Sequence, residues 1–375
     1  MKPEFLPFEL ERMMSIWENQ VEFNLSESGV HPLTLQELIL HDDRILEELL
    51  STPLNYPQTN GDLDLRQAIA GLYHHAGPDN VLVTVGAIQA NLTAVLTALQ
   101  PGDEIAIMLP NYMQIYGVAQ NLHCKVNPFY LREDLQWGLD LDEINKVITP
   151  RTKLVAVCNP NNPTGHILAQ DERKAVIHAA GNAGAWLLTD EVYAGAERLT
   201  GEITRSFWGE YEKVIAVGSL SKAYGLPGLR LGWLVAPPDF TREAWARQDY
   251  ITISSSILSN KLALYALQPD VRQRLLQRTR QYIHKGYAHF EEFFNQHPDI
   301  FSLVPPQAAA IAFPRYHRKI DSRSLLEHLI HHQKTYIVPG DHFGLDHHLR
   351  ISIGLPADYL NEGLRRILLA LLENE

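Results

Sequence analysis

Cysteine is almost absent from this chain. Its 375 residues hold two, Cys124 and Cys158, and both sit in apolar strand-like runs, which argues for small core residues rather than a disulfide or a metal pair. Basic excess is missing too. Thirty-two Lys and Arg stand against 44 Asp and Glu, a formal charge of −12, and a polyanion partner such as nucleic acid would need a basic surface. No apolar run approaches the length needed to span a bilayer. The opening stretch Met1-Lys2-Pro3-Glu4-Phe5-Leu6-Pro7 lacks the uninterrupted apolar core of an export signal, so the expected location is cytoplasmic. Internal repeats and low-complexity segments are also lacking. What remains, 45% hydrophobic and 20% charged, is an ordinary globular chain long enough for a large domain and a smaller one.

One lysine organises the rest. Val214-Ile-Ala-Val217 reads as a short buried strand, and Lys222 follows it in Gly218-Ser219-Leu-Ser221-Lys222-Ala-Tyr-Gly225-Leu-Pro-Gly228-Leu-Arg230. A turn at the carboxyl end of a strand is where open α/β sheets gather ligands. Two hydroxyls, several glycines and Arg230, a cation suited to bidentate phosphate contact, surround the amine. An amine beside a phosphate anchor is what a Schiff-base enzyme needs. The rival reading of Ser219-x-x-Lys222 as a serine nucleophile and its lysine requires S-D-N and K-T-G downstream. Neither occurs; the nearest is Lys334-Thr335-Tyr336.

From Val81 to Val235 the pattern alternates strands and helices, which implies a mostly parallel sheet covered on both faces. Strands are expected at Val81–Val85, Glu104–Met108, Lys125–Phe129, Leu154–Cys158, Trp186–Thr189, Lys213–Val217 and Leu231–Val235. Before them, helices are expected over Glu9–Gln20, Leu35–Leu50 and Leu63–His74; after about residue 240, long helices give way to short strands near 309–313, 336–338 and 349–353. The expected division is a large domain over 46–270 and a smaller α+β domain from 1–45 and 271–375.

Three other stretches belong beside the lysine. Asn159-Pro-Asn-Asn162-Pro-Thr-Gly165 follows a buried strand and offers an amide. Asp190 follows an apolar strand, a poor place for a surface charge and a good one for a partner of a buried cation. Arg350, inside an apolar strand, expects an anion.

These stretches, with Tyr56 five residues before Gly61, the turn Gly86-Ala87-Ile88-Gln-Ala90, Asp190-x-x-Tyr193 and Val338-Pro-Gly-Asp-His-Phe-Gly344, stand in the order found in class I/II aminotransferases. Over nearly its whole length the chain resembles that family of fold-type I pyridoxal 5′-phosphate (PLP) enzymes. The resemblance implies an α/β fold with a mostly parallel sheet of about seven strands between helices. It also implies that Lys222 holds PLP as a Schiff base and moves the substrate proton, that Asp190 pairs with the ring nitrogen, and that Tyr193 and Asn162 bond the phenolic oxygen. Ser219, Ser221, Arg230 and the amides of Ala87 and Ile88 would hold the phosphate, Tyr112 would stack on the ring, and Arg350, with Gly29 nearby, would take the substrate carboxylate. Tyr56 would reach the phosphate of a neighbouring subunit, which implies a homodimer with shared active sites. Substrates would be an amino acid and a 2-oxo acid.

Departures narrow this. Pro305-Pro-Gln-Ala-Ala309 stands where the family usually has glycines, and Gln248-Asp-Tyr-Ile-Thr-Ile-Ser-Ser-Ser256 lacks the arginine of dicarboxylate-specific relatives. A second resemblance, through Ser28-Gly-Val-His31, Ser221 to Arg230 and Asp249-Tyr-Ile-Thr, is to the capreomycidine synthase subgroup, which eliminates from and cyclises a hydroxylated arginine. There Glu27 would meet a guanidinium. Against it, Asp190-Glu-Val-Tyr193 keeps the tyrosine usual for transaminases, so transamination through a Lys222 Schiff base is the expectation and cyclisation the alternative.

Overall fold

Every position of Val81–Thr84 (β1), Val214–Ser219 (β7) and Gly232–Val235 (β8) is buried, the pattern of strands covered on both faces. Between them in the chain come Glu104–Leu109 (β2), Lys125–Arg132 (β3), Gly138–Leu139 (β4), Thr152–Cys158 (β5) and Trp186–Asp190 (β6). The computed structural model, which describes residues 5–40 and 42–374, orders them β1-β8-β7-β6-β5-β2-β3-β4. Met1 to Glu4, part of the stretch read for an export signal, lie outside the described residues, as do His41 and Glu375. Pairing is parallel from β7 through β6, β5 and β2 to β3, while β8 and the two-residue β4 run antiparallel to their neighbours. The sheet thus has eight strands where about seven were expected. The extra one, β4, is too short to show as an alternating run.

Successive residues of one strand face opposite layers. Val81 and Val83 pack with Val155, Val157, Val214 and Ala216 on one side of the sheet; Leu82 packs with Leu154, Ala156, Ile215 and Val217 on the other. Each such Val, Leu or Ile side chain, fully buried, contributes about 1.5–3 kcal/mol. The helix Gly86–Ala98 (α2), which leaves β1, covers the second layer against β7 and β8.

The amino-terminal segment packs on carboxyl-terminal elements. Phe23–Asn24 pairs in parallel with Thr335–Tyr336, and the amide of Ser352 donates to the Leu25 carbonyl. Leu349–Ser352 (β9) pairs antiparallel with Val338–Pro339 and with Ile311–Ala312, and so carries Arg350 inward. The 28-residue helix Pro269–Gln296 (α3) buries Leu276, Ile283, Tyr287, Phe290 and Phe294 at helical spacing.

Local chemistry overrode periodicity in places. The helix expected over 35–50 is two, Leu35–Ile39 and Asp43–Ser51, because Leu40 turns left-handed at φ 44° and the Asp42 side chain caps the Arg44 amide at 3.1 Å. The helix expected over 63–74 stops at Ala70, before Gly71. The strand expected over 309–313 shrinks to Ile311–Ala312, since Ala309 sits at φ 69°, a left-handed turn that favours glycine.

Candidate active site

The carboxyl ends of β1, β5, β6 and β7 converge on a cavity of about 400 Å³. Eleven of the thirteen residues singled out in the sequence line it. They are Ala87 and Ile88 from the first turn of α2, Tyr112 from the segment after β2, and Asn162 from the turn after β5. Asp190 and Tyr193 come from the end of β6, Ser219, Ser221, Lys222 and Arg230 from β7 and its turn, and Arg350 from β9. Gly29 lies in the adjoining cavity, whose wall also contains Ser221 and Lys222; a methyl added there would reach 3.7 Å from the Lys222 Cδ. Tyr56 stands apart. It is 79% exposed and lines neither cavity.

One end of the cavity is built for an anion. The helix α2 starts on Gly86 at φ 76°, a conformation that favours glycine, and a Cβ there would lie 2.7 Å from Nη2 of Arg230, so the guanidinium sits close against the turn. Arg230 is itself left-handed at φ 46° and donates to the Pro227 carbonyl at 3.1 Å. Gly232 lets β8 pass the same turn; a Cβ there would be 2.4 Å from the Ala87 nitrogen. The Ser219 hydroxyl accepts from the Ser221 amide at 3.2 Å. With the positive end of α2, this gathers cation, hydroxyls and amides.

The other end is built for a cation. Asp190 is the last residue of β6 and is buried. Burial pushes its carboxyl up, opposed by the Asn91 amide, which donates at 2.8 Å, by the Val192 N–H and by the charge of Lys222. Between the two ends stands the Lys222 amine. Loss of water pushes its ammonium below the ordinary lysine range; Glu27 opposes this, Arg350 adds to it, and Glu11 and Arg230 act more weakly.

Arg350 is 1% exposed. Its Nη1 donates to the Asn162 side chain at 3.1 Å and its Nη2 to the Ser26 carbonyl at 2.6 Å, while the buried Nε has no partner. A guanidinium left open on one edge is suited to a carboxylate. Tyr193 is also buried, which pushes its phenol above the ordinary range, opposed by the Arg350 charge and then by Ser28. The Tyr112 hydroxyl is bonded to Glu11 of the helix Glu9–Trp17 (α1), and Phe8 packs edge-on against the Tyr112 ring at 5.1 Å.

A flat ring with a phosphate at one end, a basic nitrogen at the other and an aldehyde between them matches this bipolar donor set. Comparison with known proteins agrees. The model of the aminotransferase class I and II family matches residues 24–367. This chain belongs to that family. The enzyme's cofactor is pyridoxal 5′-phosphate. Capreomycidine synthase of Streptomyces vinaceus is 31% identical over 351 residues, spanning 93% of this chain and 89% of that protein. A PLP-dependent aminotransferase from Streptococcus suis superposes with a TM-score of 0.92 at 27% identity, covering 100% of this enzyme and 99% of its own chain. A PLP-dependent cyclase, OrfR, superposes with a TM-score of 0.88 at 25% identity, over 100% and 99% of the two chains. The enzyme therefore has the fold type I architecture.

Sequence reasoning missed several cavity residues. Glu11, Met14 and Glu18 descend from the amino-terminal helix and its end, and no local pattern ties them to a strand end more than a hundred residues away. Asn91 had a usable signal: it lies one helical turn after Ala87 and Ile88 and so shares their face of α2. Among the described residues no group of His, Cys, Asp and Glu is placed to hold a metal, and no helix is long and apolar enough to cross a membrane.

Proposed function

We propose that the enzyme transfers the amino group of an L-amino acid to a 2-oxo acid. One observation carries this reading: a buried amine, a buried carboxylate and a buried guanidinium with an open edge line a single cavity. Ser219, Ser221, Arg230 and the first-turn amides of α2 hold the phosphate, Asp190 meets the ring nitrogen, and Tyr112 covers one ring face. Tyr193 and Asn162 serve the phenolic oxygen. Bound PLP supplies an aldehyde that condenses with amines and a cationic ring that accepts electron density from the substrate α-carbon.

The protein's own residues do the rest. Arg350 grips the α-carboxylate with the edge left free by Asn162 and Ser26, which orients the Cα–H bond. Gly29 lies beside Lys222 in the adjoining cavity. The Nζ of Lys222 would take the Cα proton, which it can do only as a neutral amine; its lowered pKa favours that form. The donor leaves as its 2-oxo acid and the acceptor as an amino acid. Tyr56 completes the phosphate site of a second copy, a role supported by its exposure and by neighbouring exposed Leu50 and Leu54. A homodimer with shared sites follows. Neither Asp nor Glu is the expected donor, given the missing arginine between 248 and 256.

A specific feature favours a second reading, elimination and cyclisation of a hydroxylated arginine. Glu11, Glu18 and Glu27 rim the cavity, and burial, then Glu27, then Glu11 push the Glu18 carboxyl up, so the rim is short of cations. A guanidinium would relieve it. Steady-state assays separate the two. Transamination requires turnover that depends on an added 2-oxo acid; turnover of β-hydroxyarginine with no acceptor, and none of ordinary amino acids, would replace it with the cyclase reading.

A further inference from the structure

We propose that Asn91 is a positioning residue for the cofactor ring, holding Asp190 in place and charged, and that α2 spans the cofactor from phosphate to ring nitrogen. The proposal rests on the PLP reading of the cavity. Ala87 and Ile88 occupy the first turn of α2 and Asn91 the next, on the same face, so one rigid helix presents amides to the anion end and a side-chain amide to the carboxylate end.

The geometry at Asp190 is specific. Its Oδ2 accepts from Asn91 Nδ2 at 2.8 Å, within ordinary hydrogen-bond range, whereas the Val192 amide reaches Oδ1 only at 3.3 Å. Asn91 is 2% exposed, and its own Oδ1 is buried with no partner in the described structure. An asparagine that leaves its acceptor unpaired is costly in a core. It is explained by the donor it gives to Asp190.

Asp190 needs that donor. Burial works against its charged form, and the groups facing it otherwise are Lys222 and the uncharged Tyr193 and Cys158, whose thiol and phenol are both pushed up by burial. When Lys222 gives up its charge to chemistry, Asn91 and the Val192 amide are what keep the carboxylate ionised and aimed. An ionised, aimed Asp190 keeps the ring nitrogen protonated.

The test is Asn91→Leu, nearly isosteric but without the donor, in wild-type and Asp190→Asn backgrounds. The readouts are the dissociation constant of PLP from apoenzyme, the pH midpoint of the bound cofactor's visible band, and Tm. Loss of a hydrogen bond to a charged group predicts roughly 10- to 100-fold weaker PLP binding and a displaced midpoint, with Tm little changed. In the Asp190→Asn background the same change should cost less than about threefold, because the partner is gone. Equal losses in both backgrounds, or unchanged binding and midpoint in the single variant, would overturn the proposal. If N91L does not fold, N91A is put through the same cycle with the same outcomes. A failure of PLP to bind the wild-type protein at all would instead sink the PLP reading beneath it.

Discussion

Arg350→Lys isolates geometry from charge. Lysine keeps a cation in the strand but cannot hold Asn162 and Ser26 while presenting two parallel N–H groups to a carboxylate. Losing one of the two hydrogen bonds to a charged substrate group costs about 1.5–3 kcal/mol, which at 1.4 kcal/mol per decade is roughly a 10- to 150-fold rise in KM. The rise should appear for amino acid and 2-oxo acid alike, because both carry the α-carboxylate, with kcat falling less. Arg350→Met serves as the contrast. It also removes one of the charges that depress the Lys222 ammonium, so the pH limb that reports a neutral amine should move upward in R350M and stay near its place in R350K. Steady-state kinetics across pH, with circular dichroism melts to confirm folding, reads all of this. A folded R350K with unchanged KM for both substrates would refute the assignment of this edge to the carboxylate.

Other predictions concern different parts of the molecule. Glu27 is the strongest charge raising the Lys222 pKa, so Glu27→Gln should lower it further, measured in apoenzyme by the pH dependence of amine labelling; an unmoved midpoint would contradict this. For Glu172, burial works upward, but the His166 bond and the Leu139 and Ala169 amides outweigh it and hold the carboxyl below its ordinary value. Its stabilisation is thus present above the ordinary carboxylate range and lost as pH falls through the depressed pKa. Glu172→Gln should cost about 1–3 kcal/mol at neutral pH and flatten the acid limb of a pH–stability curve. Gly286 in α3 faces Ile353, and a Cβ there would stand 1.7 Å from that carbonyl oxygen. Gly286→Ala should therefore lower stability by at least about 1–3 kcal/mol in urea melts, despite alanine's better helix propensity.

Residues whose meaning is local were readable without coordinates. Lys222 follows a β-branched run and precedes a glycine-rich turn, Asp190 ends an apolar strand, and Arg350 interrupts one; each is a charge where burial forbids an idle one. The alternation from 81 to 235 likewise implies strand ends gathered on one edge of a sheet, so the cofactor site was legible as a set of turns. Breaks such as Leu40 and Ala309 were not, because a left-handed residue other than glycine carries little trace in the chain.

The sequence by itself determined the chemistry available: one lysine, one carboxylate, one buried arginine, and a glycine-rich turn between them. Tertiary structure alone decided what surrounds that chemistry. Packing of α2 across the sheet sets Asn91 on Asp190, and the return of α1 and its end over the cavity brings Glu11 and Glu18 into its lining. The physical reason is range. Burial and strand pattern are written in a few neighbouring residues, whereas a hydrogen bond across a hundred residues of chain exists only once the layers have closed.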